Sequence, residues 1–210
     1  MPIFTAVGGL YSKTALSNED KEIALEKLKK TAFNFREAAP GVYRSGLISE
    51  EAAPFLKEAG IKTVLSFDNN NRRAEKEQKR LEEMGIHVIS MPWSGWDDPD
   101  DEVISKAVEL IESQENRPIL VHCKHGQERT GVAIASWRIA HQDWSFGQAY
   151  QEMKGCGFRS FQYGHLKKYV YEFARKHGDQ NAMFGSGLEE TKTNLLSFFY
   201  KLRKLNPFLK

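Results

Sequence analysis

The stretch ILVHCKHGQERTGVAIASWRIA, residues 119–140, limits the fold more than any other part of the chain. An apolar run ends at Cys123, a short polar loop follows, and a largely apolar segment begins near Arg129. The first run has the length and branching of a buried strand, and the second is apolar around enough of its circumference to be a buried helix. A buried strand that passes directly into a buried helix is half of a βαβ unit in a layered α/β sheet.

The rest of the chain repeats that alternation. GVYRSG (41–46) reads as a strand running into a turn, and SEEAAPFLKEAG (49–60) as a helix capped by Ser49 and stopped at Gly60. IKTVLSF (61–67) reads as a strand, residues 69–85 as a helix with a solvated polar face, and IHVISMP (86–92) as a strand. Val103, Ile104, Ala107, Val108 and Ile111 fall at helical spacing within 101–114. The strand at 117–123 and the helix at 129–142 follow, then helices at 145–155 and 163–178. The expected fold is α/β, a central mostly parallel sheet flanked by helices. Three parts are expected: an N-terminal arm with a short helix (1–40, the helix at 19–31), a core domain (41–178), and a linker with an amphipathic, basic C-terminal helix (179–210).

A chain of 210 residues can bury a core without staples. Its two cysteines, Cys123 and Cys156, are too few for a disulfide framework and suit a reducing compartment. A net charge of +2 gives no argument for nucleic acid. The first residues lack a basic region followed by an apolar stretch, and no apolar run reaches bilayer length, so the expectation is a cytoplasmic protein. In the tail, Leu195, Leu196, Phe198 and Phe199 stand close to Lys201, Arg203 and Lys204, a pattern for a membrane surface, a partner or the chain's own domain.

The loop after Val121 carries the chemistry. A loop that turns into a helix N-terminus aims several backbone N–H groups into one concavity, and the helix dipole adds to its positive potential. A cysteine at its mouth is held as thiolate by the same groups. Arg129, six positions after Cys123, can bring a planar guanidinium back to that centre, where its fork fits two phosphoryl oxygens. Gly126 permits the sharp turn, and the Thr130 hydroxyl can donate to the Cys123 sulfur. These groups suit phosphoryl transfer through a cysteinyl phosphate that water then hydrolyses. They call for no metal or other cofactor. His122, Cys123 and His125 are too close together to close a tetrahedral metal site.

HCKHGQERTG resembles the HC-x5-R-S/T signature of the cysteine-dependent protein tyrosine and dual-specificity phosphatase superfamily. The closest pattern is that of its atypical bacterial and fungal members with HCxxGxxRTG loops. VYRSGLIS and GIKTVLSF resemble the opening and an early strand of the same family, and together the likeness spans roughly 41–175. It implies a dual-specificity-phosphatase-like fold with Cys123 as nucleophile and Arg129 on the phosphate. Thr130 would assist thiolate departure, and His122 would support the loop. The loop residues Lys124, His125, Gly126, Gln127 and Glu128 would line the substrate site with Thr130, and Arg44 and Arg159 are candidates for further contacts. Basic residues at 124 and 125 favour an inositol polyphosphate. The alternatives are a phosphoprotein substrate or a phosphate-binding module without turnover.

The proton donor for the leaving oxygen normally comes from an aspartate on an upstream loop. In many relatives that aspartate follows a proline by three positions, and here the place holds Gly95. Asp97 and Asp98 are the nearest substitutes, Asp100 comes next, and Glu128 after it. Asp100 and Asp101 also suit the start of the helix at 101–114. Cys156 is either a redox partner for Cys123 or an ordinary thiol at a helix end.

Overall fold

A computed structural model describes residues 16–185, together with Leu195 and Leu202. The described residues form a five-stranded sheet in the order β1-β2-β5-β3-β4, where β1 is Arg36–Ala39, β2 Val42–Ser45, β3 Thr63–Ser66, β4 His87–Ser90 and β5 Ile119–His122. All neighbouring strands are parallel except β1 and β2. The helices are α1 (Asn18–Thr31), α2 (Ala53–Glu58), α3 (Asn71–Glu83), α4 (Asp101–Glu112), α5 (Glu128–His141), α6 (Phe146–Gly155) and α7 (Gly164–Lys176). The α/β architecture expected from the sequence is therefore the one observed.

Successive residues of β5 feed two cores, as the period of a strand requires. Ile119 and Val121 join Ile104 of α4, Trp137 of α5 and Leu166 of α7 on one face. Leu120 joins Leu28 of α1, Leu56 of α2 and Leu81 of α3 on the other. Burial of α5 is nearly complete from Glu128 to Ile139, which explains its lack of a polar stripe.

Register positions the site. Ser45 of β2 and Ser66 of β3 both pair with His122 of β5, and Ser66 also pairs with Ser90 of β4. Four parallel strands thus end in one line, and the segments after them open on the same edge of the sheet. Ligands of open α/β sheets bind at such carboxyl-end crevices.

Two elements differ from the sequence reading. The helix expected over 49–60 is shortened to Ala53–Glu58, with Pro54 in its first turn, where a missing N–H does no harm. Ser49 Oγ instead accepts from Ala52 N at 3.1 Å in the turn before it. β1, with the sequence REAA, has no strand signature of its own; it exists through its pairing with β2. Residues 18–39, read as arm and short helix, thus supply an edge strand and the buried Ala24 and Leu28. The basic segment from 188 lies outside the described residues apart from Leu195 and Leu202. No described helix is long and apolar enough to cross a membrane.

Candidate active site

Cys123 follows the last residue of β5 and is buried to 1% exposure. Burial alone would raise its pKa. The Arg129 guanidinium, the Thr130 hydroxyl and the backbone N–H groups of Thr130 and His125 outweigh that and hold the thiol below its ordinary value. Thr130 is itself fully buried, and its hydroxyl has no other hydrogen-bond partner among the described residues.

The loop is held from below. Gly126 has φ +65°, and its carbonyl accepts from Arg44 Nη2 at 2.9 Å and Asn34 Nδ2 at 3.1 Å. Leu47 N donates to Lys124 O at 3.2 Å. Arg44 is 1% exposed, so the structure places it under the cradle, holding the loop, and not among the residues facing the cavity. Asn34, which sequence reasoning missed, also donates to Cys156 O at 2.9 Å and ties the end of α6 to the loop. Its left-handed φ of 58° is a conformation that asparagine tolerates better than most residues.

His122 and Glu77 form a second support. His122 Nε2 lies 3.3 Å from Glu77 Oε2, and both side chains are buried. Burial opposes the charge on the imidazole, but the Glu77 carboxylate overrides it and raises the His122 pKa. The polar run over 69–85 is therefore not wholly a solvated face, because Glu77 turns inward from it. The neighbouring Cys123 acts in the same direction as Glu77 on the His122 pKa.

Arg129 is 9% exposed, and its Nη1 is shared between Phe67 O, Asn69 Oδ1 at 3.0 Å and Trp93 O at 3.0 Å. These acceptors come from the segments after β3 and β4, which orient the guanidinium over the cradle. Above them lies a cavity of about 590 Å³. Its floor holds Cys123, Lys124, His125, Glu128 and Arg129. One wall is Asn69, Asn70 and Arg73; another is Arg159, Gln162 and Tyr163, with Gly95 and Trp96 closing over them. Burial and the nearby Lys124 hold His125 below the usual imidazole range despite the Glu128 carboxylate, so at neutral pH it is an uncharged donor and acceptor. Gln127 sits against Gly157 and does not reach the described wall.

The segment after β4 is tied to the start of α7 beside this cavity. His165 Nε2 donates to Gly95 O at 3.1 Å, and the Trp96 and Tyr163 rings pack at a tilt of 31° with centroids 4.8 Å apart. Trp93 packs edge-on against Phe67, beneath the wall. A Cβ added at Gly95 would lie 3.6 Å from Arg129 Cγ and 3.7 Å from Tyr163 Cε1, which are ordinary contacts. Position 95 thus faces the aliphatic stem of Arg129. Asp97 and Asp98 are exposed, and the described wall includes neither. Asp100 caps α4, accepting from Glu102 N at 2.7 Å. Glu128 lines the floor, where its Oε1 accepts from Arg159 Nε at 2.8 Å.

A strand-end thiol with a lowered pKa and an arginine locked over it are now in place. Residues 31–182 match the family model described as the tyrosine phosphatase family. The chain belongs to the tyrosine phosphatase family. The dual specificity protein phosphatase TpbA of Pseudomonas aeruginosa is 34% identical over 127 residues, which cover 60% of this chain and 56% of the relative. The chain thus spans little more than half the length of that relative. The inositol diphosphatase DSP4 of Arabidopsis thaliana is 26% identical over 158 residues, covering 72% of this chain and 78% of that protein. The crystal structure of TpbA superposes with a TM-score of 0.56 at 26% identity, over 80% of this chain and 91% of that one.

In this member of the tyrosine phosphatase family, sequence reasoning missed Asn69, Asn70, Arg73, Gln162 and Tyr163 as wall residues. A signal for the first three was available. They follow a strand expected to run parallel to the cysteine strand, and residues after its carboxyl end face the same crevice.

Proposed function

We propose that this chain is a metal-independent phosphatase that transfers a phosphoryl group to Cys123 and hydrolyses it from there, with an inositol polyphosphate as substrate. The observation that carries this reading is the placement of Cys123 on the floor of a cavity lined by Arg73, Arg129 and Arg159, with the Arg129 guanidinium fixed by Asn69 and Trp93. In the first step the Cys123 Sγ lone pair forms an S–P bond and the P–O bond to the leaving group breaks. The N–H groups of the cradle and Arg129 bind the equatorial oxygens. In the second step a water oxygen attacks phosphorus, the S–P bond breaks, and Thr130 donates to the departing thiolate. Release of inorganic phosphate in EDTA from inositol hexakisphosphate, inositol diphosphates and phosphotyrosine peptides tests this. Release from the inositol compounds is expected, and no release from any substrate would reduce the chain to a phosphate-binding module.

The acid loop bears on the substrate. A glycine stands at the position facing Arg129, which suits a leaving group that departs without a proton. The phosphate leaving a diphosphate is such a group, and the name of the Arabidopsis relative points the same way. Asp97 and Asp98 remain the proposed donors for alkyl leaving groups, ahead of Asp100 and Glu128. Gly95→Asp separates these readings. If position 95 is the acid position, the variant should raise kcat on an alkyl phosphate by about tenfold or more, and barely change it on p-nitrophenyl phosphate. No gain, with alkyl turnover lost in Asp97→Asn or Asp98→Asn, would assign the acid to the exposed aspartates.

A second reading is a phosphotyrosine-directed enzyme. The Trp96–Tyr163 ring pair favours it, since an aromatic wall can hold a phenyl ring. Release from the peptides alone would select it.

A further inference from the structure

Two arginines of the cavity wall are each held by a buried carboxylate. Arg73, in the first turn of α3, donates from Nε to Asp68 Oδ2 at 2.5 Å and from Nη2 to Asp68 Oδ1 at 2.6 Å. The Asp68 side chain is wholly buried, while that of Arg73 is 33% exposed. Arg159, between α6 and α7, donates from Nε to Glu128 Oε1 at 2.8 Å. The Glu128 side chain is 6% exposed, against 45% for Arg159. Both guanidiniums line the cavity; Asp68 lies behind its wall, while Glu128 shares the cavity floor.

We infer that Arg73 and Arg159 are two pre-oriented subsites for phosphates of the substrate that are not cleaved, flanking the phosphate held by Arg129. The inference rests on the proposed phosphatase reading and adds what distinguishes one substrate from another. A guanidinium fixed by a buried carboxylate loses little rotamer freedom when an anion arrives, so more of the charge-assisted bond appears as affinity. Asp68 is well placed to do this. Burial would push its carboxyl up, but the bidentate Arg73 pair and its neighbours hold it below the ordinary range, so it is ionised wherever the protein is folded near neutral pH. The local backbone adds to the fixation, because Asn70 caps α3 by accepting from Arg73 N at 3.0 Å. The two arginines sit on different elements, and Arg129, held by Asn69 and Trp93, lies in the same cavity. A compact substrate with phosphates on adjacent ring carbons engages all three. A single phosphate ester needs only the cradle.

The test is the ratio of kcat/KM for inositol hexakisphosphate to kcat/KM for p-nitrophenyl phosphate, measured on the full chain. Arg73→Gln and Arg159→Gln should each lower that ratio by about tenfold, mostly through KM for the inositol compound. Arg73→Lys should recover only part of the loss, because an ammonium does not reproduce the bidentate fork. Arg73→Gln leaves a buried carboxylate without its partner, so the paired variant Asp68→Asn, Arg73→Gln is measured beside it and should show the same tenfold fall. A ratio that stays at the wild-type value in the folded variants overturns the inference. If wild-type protein cleaves neither compound, the phosphatase reading fails by itself. Calorimetric binding of inositol hexakisphosphate then decides the subsites: about tenfold weaker binding in the variants supports them, and equal binding overturns them.

Discussion

Cys123→Ser should abolish phosphate release on every substrate, by about 10⁴-fold or more, while phosphate still binds. The argument is one of ionisation. All the groups that lower the Cys123 pKa act on a sulfur that is already acidic, and burial is the opposing effect they must overcome. A serine hydroxyl starts far higher, so the same charges leave it protonated at neutral pH. Glu128 is engaged by Arg159, and His122 is held by Glu77 behind the loop, so neither serves as a replacement base. Arg129 and the loop N–H groups are untouched, so the cradle keeps its anion affinity. Calorimetry with inorganic phosphate and a malachite-green assay on the same preparation read the two halves separately. Acid-quenched wild-type enzyme should also carry phosphate on Cys123, and the variant none. Residual turnover within tenfold of wild type would mean that another group attacks phosphorus.

The part of the site that lies within one stretch of chain was legible from sequence. Strand, turn and helix between Ile119 and His141 are contiguous, so spacing alone fixed Cys123, Gly126, Arg129 and Thr130 in relation to each other. The supports were not legible, because each depends on register between distant segments. Arg44 reads as a surface or lining arginine until β2 is set beside β5, when Gly126 O comes within reach of it. Glu77 reads as one charge among many in a polar run. Only the packing of α3 below β5 turns that one residue toward His122. Arg73 was lost in the same run, since nothing local tells an arginine in solvent from one pinned by a buried aspartate. β1 failed for a related reason: REAA has no strand propensity, and its partner supplies the structure. Placement in the fold, not local composition, decided each of these.

Gly126→Ala tests whether those supports matter. Gly126 has φ +65°, and a Cβ there would lie 2.3 Å from both the carbonyl carbon and oxygen of Ser45 and 2.6 Å from Gly46 N. These are backbone atoms of β2 and its exit, which cannot swing aside as a side chain can. The left-handed conformation adds about 1 kcal/mol or more for a residue with a Cβ. The loop must therefore lift away from β2, and the Arg44 and Asn34 bonds to Gly126 O must lengthen or break. That leaves Arg44, which is 1% exposed and has no hydrogen bond on Nε or Nη1 among the described residues, without its one loop partner. The loss should reach about 3 kcal/mol of stability and at least about 100-fold in kcat/KM, because a shift of order 1 Å moves the His125 and Thr130 N–H groups off the sulfur. The Cys123 pKa should rise as those donors retreat, so iodoacetamide alkylation at pH 6 should slow in the variant relative to wild type. A variant that melts as wild type does and alkylates at the wild-type rate would show that the loop keeps its shape without the glycine. In that case the contacts from Arg44 and Asn34 would be consequences of the fold and not the means by which it shapes the cradle.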